Sequence, residues 1–389
     1  MRAFPSILAC ACVAACGDNL EPVAPPLVHS DTLFLVGHPD DDMIFIAPEL
    51  QHTLREGGST TTVYATTAGP HGSNPLLLEA AKVAYGSVVG SSAWDCGLLE
   101  LGGVQVQHCR LHDRPVSLLD LGIPDGGIPG DRHDSLLHLF DGTASELTLD
   151  AGGTVTAATV TELFASLFEA TTPMTLESLE LAATHGRDHS SHMFVSTIGL
   201  WAAALVRFSG SATWHRGYNV DVEVPDLGDD LVPARTMLGY YEACADHCGP
   251  CGQPCPAVLA AHETWIERQY ASTRVTEISG ALMLGTACLG EDLQLGDCAS
   301  AAHVDLDATG ELRIGDHCVA STATDELVLD TCTGLPEQYW VLDSEGYVWN
   351  GRRAQIGTDM TYDHVRCLGG DGRAATCGAH LQPRWQLVP

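Results

Sequence analysis

One stretch near the start of the chain carries the strongest structural signal of the sequence, Thr32-Leu33-Phe34-Leu35-Val36-Gly37-His38-Pro39-Asp40-Asp41-Asp42. Its first half is a short continuous apolar run, which is typical of a strand buried on both faces of a sheet. Its second half places an imidazole and three carboxylates directly after that strand. Open α/β sheets bind their ligands at this carboxyl edge, so the stretch predicts both a buried parallel strand and a functional site.

The segments that follow alternate as expected for parallel strands joined by helices. An amphipathic stretch over residues 43–55 precedes a β-rich run over residues 60–67, which is the spacing of a parallel crossover. Helical patterns recur further along, over residues 76–89, 159–170 and 193–208. We therefore predict the α/β class, a three-layer Rossmann-like sheet with helices on both faces, over residues 31–275.

From Cys288 onward the helical patterns give way to short β-like runs with a weak internal repeat. Three degenerate copies carry cysteine pairs, and the best preserved copy contains Gln338-Tyr339-Trp340. This repeat resembles the ricin-type β-trefoil lectins, whose copies carry a cysteine pair and a Gln-x-Trp core motif. The resemblance implies a small all-β, β-trefoil-like domain over residues 283–389. Such a domain is either a carbohydrate-binding module with a glycan ligand or a structural, partner-docking module.

Composition narrows the class of protein. The 389 residues are 45% hydrophobic and include 18 Lys plus Arg against 50 Asp plus Glu, a formal net charge of −32. The length of the chain predicts two or three domains. The apolar content predicts that the chain is globular. The negative charge repels phosphate backbones, so we expect no nucleic-acid partner.

The N-terminus has the pattern of an export signal. An apolar run from Phe4 to Ala15 follows Arg2; it is too short to span a bilayer but typical of a signal-peptide core. Val13-Ala14-Ala15-Cys16 resembles the lipobox of bacterial lipoproteins, which implies lipidation of Cys16. We predict a signal peptide over residues 1–16 and a tether over residues 17–30. The chain is then exported to the bacterial cell envelope and held by a lipid anchor only, on the inner or the outer membrane, or secreted if the lipobox is not used.

The cysteines support an oxidising compartment. Of the fifteen, twelve remain after Cys10, Cys12 and Cys16 are set aside, an even number that favours disulfides. Candidate bridges join Cys96 to Cys109, Cys288 to Cys298, Cys318 to Cys332 and Cys367 to Cys377. The group Cys244, Cys248, Cys251 and Cys255 supplies two more bridges or, with His247, forms a zinc knuckle.

The candidate metal ligands lie far apart in sequence. His38 and Asp41 are three residues apart and can turn toward one ion, whereas Asp40, offset by one residue, could accept a proton from a water on that ion. A catalytic zinc takes three protein ligands. The third is expected in the segment from His185 to His192, which holds three histidines within eight residues and precedes an apolar helix. Within it, Asp188 caps the helix or orients its histidine neighbour.

Several motifs together resemble the PIG-L (LmbE-like) zinc N-deacetylases, over most of residues 31–272, in the order and spacing of that family. They are Gly37-His38-Pro39-Asp40-Asp41-Asp42, Ala68-Gly69, residues 79–85, Ile123-Pro124-Asp125-Gly126, Asp188-His189-Ser190-Ser191-His192, Gly217-Tyr218-Asn219 and Trp265-Ile266-Glu267-Arg268.

The resemblance implies a role for each matched residue. Zn²⁺, one per chain, is bound by His38, Asp41 and His192; Asp40 is the general base, and His189 stabilises the oxyanion. It also implies a zinc-dependent hydrolase that removes N-acetyl groups from N-acetylglucosamine-type sugars or glycoconjugates. His185 replaces one of the two histidine ligands if the loop register differs.

Three positions depart from the family pattern. Asp42 stands where the family usually has Glu, a mild change; the other two bear on substrate recognition. Leu78 stands where the family commonly has Arg, and Pro70-His71 follow the second strand where many relatives have an acidic residue. Both positions belong to substrate-contacting loops in that family. They leave an alternative function open, a glycan-binding surface lipoprotein whose deacetylase-like domain is catalytically impaired.

Overall fold

The computed structural model describes residues 24–68, 75–354, 364–377 and 384–388. Its α-helices are α1 (Asp41–Phe45), α2 (Ala47–Glu56), α3 (Pro75–Val89), α4 (Leu136–Asp141), α5 (Ala157–Thr171), α6 (Ser190–Val206), α7 (Leu231–Cys244) and α8 (Ala260–Ile266). Its strands are β1 (Thr32–Val36), β2 (Thr60–Thr66), β3 (Trp94–Leu101), β4 (Val104–Leu111), β5 (Val116–Ile123), β6 (Leu147–Thr148), β7 (Thr154–Val155), β8 (Thr175–Leu179), β9 (Ser211–His215), β10 (Ala271–Val275), β11 (Ile278–Leu284), β12 (Ala287–Leu289), β13 (Leu295–Gly296), β14 (Val304–Leu306), β15 (Leu312–Ile314), β16 (His317–Ser321), β17 (Leu327–Asp330), β18 (Trp340–Asp343), β19 (Val348–Asn350), β20 (Arg366–Leu368), β21 (Ala374–Thr376) and β22 (Trp385–Val388). The helices predicted over residues 76–89, 159–170 and 193–208 are confirmed as α3, α5 and α6.

The strands of the first part of the chain form a sheet with a parallel centre. β1 lies between β8 and β2, and β9 and β5 extend this parallel set on either side. β4 and β3 continue it in antiparallel order, and β10 pairs antiparallel with β9. Every residue of β1 is buried. Its side chains alternate between two apolar clusters, with Leu33 and Leu35 in one and Phe34 and Val36 in the other. The apolar run therefore predicted a buried central strand correctly.

The predicted fold class, a Rossmann-like three-layer sheet followed by a small β-trefoil-like domain, is wrong. The sheet is mixed and, across the described ranges, has twelve strands in the order β21-β20-β19-β18-β10-β9-β8-β1-β2-β5-β4-β3. Strands β18 to β21 come from the region predicted to fold separately. Other C-terminal strands form a second sheet, in the order β13-β12-β11-β14-β15-β16-β17, with β22 paired to β11. The sequence repeats are thus divided between two sheets.

The edge of β10 gives the physical reason for this continuation. An uncovered edge strand presents unpaired N–H and C=O groups, and β18 pairs with β10 through residues 342–343 opposite residues 274–275. Tyr339 and Trp349 then join the core cluster that contains α6 side chains. The Tyr339 hydroxyl donates to the Phe208 carbonyl at 2.8 Å. Burial of a large apolar side chain contributes about 1.5–3 kcal/mol, so these contacts favour one continuous sheet.

The Gln-x-Trp motif lies in the interior. The Trp340 indole N–H donates to the Val319 carbonyl at 2.7 Å. Gln338 Oε1 accepts the backbone N–H groups of Thr333 and Gly334, at 2.7 and 3.2 Å. Since both motif side chains are buried, they stabilise the local fold and offer no surface to a ligand.

The predicted disulfides are present. Cys96–Cys109, Cys288–Cys298, Cys318–Cys332 and Cys367–Cys377 pair as expected. The remaining group forms Cys244–Cys251 and Cys248–Cys255. All four of its thiols are therefore bonded, and the zinc-knuckle alternative is wrong.

Some of the sequence predictions lie outside the described residues, namely the signal peptide over residues 1–16 with Cys16, the first part of the tether, and Gly69, Pro70 and His71. The lipid anchor and the export route therefore remain predictions. In the ranges that the structure covers, the helices are too short or too polar to traverse a bilayer.

Candidate metal centre

The parallel strands bring the candidate site together because their carboxyl ends meet at one edge of the sheet. His38 and Asp41 follow β1, Asp125 follows β5, and the loop after β8 leads to His189 and His192 at the start of α6. Residues that are distant along the chain thus become neighbours of the first motif.

The tightest group at this edge consists of His38, Asp41 and His192. One ligand atom from each lies within 4.8 Å of the other two. His192 Nε2 is 3.1 Å from Asp41 Oδ1, and His38 Nδ1 is 3.4 Å from Asp41 Oδ2. All three side chains are buried, so the group is a compact pocket of nitrogen and oxygen donors.

Two observations indicate that this group fits a divalent cation. His192 Nδ1 donates to Asp188 Oδ1 at 2.9 Å, while its Nε2 is buried without a hydrogen-bond partner among the described residues. In the neutral ring that Nε2 carries a lone pair directed at Asp41. Two imidazoles and one carboxylate are also the donor types that a catalytic zinc uses.

The pKa shifts of Asp41 and His192 also indicate that this group of side chains favours a bound positive charge. Burial alone raises the pKa of Asp41, but the imidazoles of His192 and His38 outweigh it and hold that pKa well below its usual value. Burial lowers the pKa of His192, and Asp41 and Asp188 outweigh it and raise that pKa to about 9. The buried carboxylates therefore attract protons to the imidazoles, and a bound cation would take the place of those protons.

His189 lies beside this group and differs from it in protonation. Its Nδ1 accepts the Ser191 backbone N–H at 3.2 Å, so the neutral ring carries its proton on Nε2. Burial, together with the charges of His38 and His192, lowers its pKa to about 3. His189 is thus a neutral Nε2–H donor at pH 7, which is the form that an oxyanion requires.

Asp125 completes a second group with His38 and His189. Its Oδ1 lies 3.5 Å from His38 Nε2 and 3.8 Å from His189 Nε2. Burial raises its pKa, but the hydrogen bond and charge of His38 outweigh this and lower it to about 2. Ser191 Oγ and the Gly127 N–H donate to the same oxygen at 3.0 and 3.1 Å. Asp125 therefore stays ionised, and its negative charge lies close to both rings.

Asp40 directly precedes the candidate ligand Asp41 and has a raised pKa. It precedes α1 and forms no cap hydrogen bond with its side chain. Burial and the neighbouring Asp41 raise its pKa. A carboxylate whose pKa is raised toward neutrality binds a proton more readily during a reaction. Its neighbour Asp42 points away, because its Oδ2 accepts the hydroxyls of Tyr85 and Tyr64 at 2.5 and 3.1 Å.

Asp188 holds the loop that carries both histidines. Its Oδ1 accepts His192 Nδ1 and the backbone N–H groups of His189 and Tyr218, at 2.8 and 2.9 Å for the last two. A Cβ at Gly217 would lie 2.3 Å from Asp188 Oδ2, so glycine is required at that position. Neither role predicted for Asp188 is observed as stated: the N-cap residue of α6 is His189, and the imidazole that Asp188 orients is that of His192.

Replacing Asp188 by Asn should weaken metal binding by roughly tenfold to a hundredfold, the usual cost of losing a carboxylate behind a ligating histidine. The amide keeps the acceptor oxygen but removes the charge. Competition with a chromogenic chelator measures the affinity. Asp226→Asn is the matched control, because Asp226 also accepts a backbone N–H, that of Gln269 at 2.8 Å, away from the site. Equal affinities of the two variants would contradict the orienting role.

An aromatic wall and a cavity adjoin the ligands. Tyr218 stacks on Trp265 with ring centroids 4.4 Å apart and contacts His192 edge-on at 4.9 Å. A cavity of about 410 Å³ opens beside them and is also lined by Arg187 and Asn219. A second cavity, of about 490 Å³, lies elsewhere and is lined by residues of α3 and β3. Of these two cavities, the first is lined by two residues that contact His192, namely Asp188 and Tyr218.

The structure also shows the surroundings of His185 and Leu78, two residues that the sequence singled out. His185 is not part of the ligand group: its Nδ1 bonds Glu180 and its Nε2 lies 2.9 Å from Glu345 Oε2. Leu78 packs on the apolar cluster beneath α1 and α2. Asp125 is predicted from the sequence only as part of a motif, and His262 is not predicted at all. The rule that selected His38, a ligand-type side chain just after a buried strand, would also have selected Asp125.

The pairing of His185 predicts a pH-dependent stability. Burial lowers its pKa, but Glu180 and Glu345 outweigh this and raise it to about 9. The resulting stabilisation is complete below the unfolded pKa of about 6.5 and is lost as pH rises through 9. We expect wild type to lose about 1 kcal/mol more than His185→Gln over this interval, the scale of a partly exposed ion pair. Urea unfolding at pH 6, 7.5 and 9.5 measures it, with His52→Gln as control. Parallel curves for wild type and His185→Gln would contradict it.

Comparison with known proteins does not assign the chain to a family. No model of a protein family matches the chain, and neither does any curated protein. Among solved structures it is similar to the β-trefoil lectin of the Vibrio vulnificus hemolysin/cytolysin, solved with N-acetyl-D-lactosamine bound, at 17% identity over 29% of this chain and 96% of that one, with a TM-score of 0.22. It is also similar to a conserved protein from Thermus thermophilus, at 18% identity over 46% of this chain and 57% of that one, with a TM-score of 0.26. At these scores neither likeness supports a conclusion.

Proposed function

We propose that this protein is a zinc-dependent hydrolase that removes N-acetyl groups from N-acetylglucosamine-type sugars or glycoconjugates, related to the PIG-L zinc N-deacetylases. The observation that carries the proposal is the buried group of His38, Asp41 and His192, together with Asp40, whose carboxylate interacts electrostatically with Asp41 and His38. The donor set suits a catalytic zinc, and the adjacent side chains suit the hydrolysis of an amide.

A zinc ion in such a site supplies a water of lowered pKa and polarises a carbonyl group. The chain supplies the proton transfers. Asp40 accepts a proton from the attacking water while the new C–O bond forms, and it returns that proton to the nitrogen as the C–N bond breaks. His189 Nε2–H donates to the carbonyl oxygen as negative charge develops there. The products are acetate and a free amine.

The cavity beside the ligands suits a sugar. Tyr218 and Trp265 offer an apolar surface for the ring. Asn219, which is buried, leaves its Oδ1 without a partner among the described residues, and the exposed Arg187 adds donors at the rim. Aromatic surface with a few convergent polar groups is the usual composition of a small-molecule site.

Acetate release from a panel of N-acetylglucosamine compounds tests the proposal. The zinc-loaded protein should release acetate from at least one free sugar, oligosaccharide or glycolipid of the panel, and a chelator should stop the reaction until zinc is restored. Protein that holds stoichiometric zinc but gives no more acetate than Asp40→Asn would overturn it. That result would favour the alternative, a glycan-binding protein with an impaired deacetylase-like region.

A further inference from the structure

A buried carboxylate at the end of α7 organises the segment next to the proposed base. The side chain of Glu242 is 1% exposed. Its two oxygens both accept the Leu259 backbone N–H at 3.0 Å, and its Oε1 accepts from His262 Nδ1 at 2.7 Å. Because Nδ1 is committed to Glu242, the other ring nitrogen of His262 must point away from it.

Two disulfides keep this arrangement in place. Cys244–Cys251 and Cys248–Cys255 fasten the loop that joins α7 to α8. The Cys255 backbone N–H also donates to the Gly239 carbonyl at 3.0 Å. The start of α8, which carries His262, is therefore tied to the end of α7, which carries Glu242.

The second ring nitrogen of His262, Nε2, faces Asp40, the proposed base. His262 Nε2 lies 4.0 Å from Asp40 Oδ2. Burial lowers the pKa of His262, but the Glu242 hydrogen bond and the Asp40 charge outweigh this and raise it overall. A protonated ring presents an Nε2–H toward Asp40, and a shift of about 1 Å closes the gap to a hydrogen bond.

We propose that the Glu242–His262 pair is a positioning device for Asp40. The Nε2–H of His262 holds one oxygen of the Asp40 carboxylate, which leaves the other free to face the reacting water. The positive ring also offsets the repulsion between Asp40 and the neighbouring Asp41. This inference rests on the proposed function, since the orientation of Asp40 matters only if Asp40 acts as a base.

Two substitutions of His262 separate the link to Asp40 from the link to Glu242. In His262→Asn the amide N–H occupies the place of Nδ1 and still reaches Glu242, but nothing reaches Asp40. In His262→Gln the amide extends to the place of Nε2. We expect His262→Asn to lower kcat by roughly tenfold to a hundredfold, the usual effect of misplacing a reacting group, with KM, zinc content and unfolding midpoint unchanged. His262→Gln should recover part of the loss.

A double-mutant comparison completes the test. In the Asp40→Asn background, His262→Asn should cause no further loss, because the residue it positions is already gone. His52→Asn, at a histidine paired with Asp230 away from the site, is the control and should behave as wild type. A wild-type kcat for His262→Asn, or a full additional loss in the double variant, would overturn this inference alone. Absence of acetate release by wild type itself would overturn the proposed function and this inference with it.

Discussion

Asp40→Asn should abolish amide hydrolysis while leaving the metal site intact. The amide cannot accept the proton of the attacking water, and general-base catalysis contributes roughly a hundredfold to ten-thousandfold. Asp40 lies outside the group formed by His38, Asp41 and His192, so zinc affinity should stay within about threefold of wild type. Acetate release under saturating zinc, with metal content measured on the same sample, gives both values.

Asp230→Asn is the matched control for this substitution. Asp230 also directly precedes a helix, α7, and forms no cap hydrogen bond with its side chain. It should retain full activity. If Asp40→Asn keeps more than a tenth of the wild-type rate, or if it loses zinc, Asp40 is not the base that we propose.

The second large effect is expected at His192. In His192→Asn the shorter amide can still donate to Asp188, but it lacks the Nε2 atom that faces Asp41 at 3.1 Å. Zinc affinity should fall by more than about a hundredfold, beyond the usual effect of a residue that only orients a ligand. Activity should fall with it at limiting zinc. Chelator competition and acetate release are the two measurements.

His108→Asn serves as control for His192→Asn. His108 is equally buried, and its two ring nitrogens lie 2.9 Å from the Pro25 carbonyl and 3.1 Å from Ser117 Oγ, far from the ligands in the fold. Its substitution should disturb packing by a similar amount and leave zinc affinity unchanged. Wild-type affinity in His192→Asn would exclude His192 as a ligand.

These two experiments and the test of His262 address separate parts of one site. Loss of His192 removes a ligand atom, loss of Asp40 removes the proton acceptor, and His262→Asn changes only the orientation of that acceptor. Zinc affinity should therefore change in the first case alone. The effect on kcat should be largest for Asp40→Asn and smaller for His262→Asn.

Features that depend on neighbours along the chain were predictable from the sequence alone. The apolar run of β1 predicted a buried strand, and its abrupt change to His38 and the carboxylates marked the edge of the sheet where the candidate site lies. The disulfides followed from short spacings, as in Cys96–Cys109, because thiols close in sequence find each other when the chain is oxidised. These are local properties, and periodicity and spacing encode them directly.

The way in which distant segments meet was not predictable from the sequence and is seen in the folded chain. The pairing of β18 with β10, which overturned the predicted fold class, depends on which edge is left uncovered and on the aromatic side chains that pack behind it. The removal of His185 from the ligand group by Glu345, and the approach of His262 to Asp40, are likewise contacts between residues at least 160 positions apart. No pattern along the sequence specifies such contacts, because they arise from the packing of whole elements rather than from local periodicity.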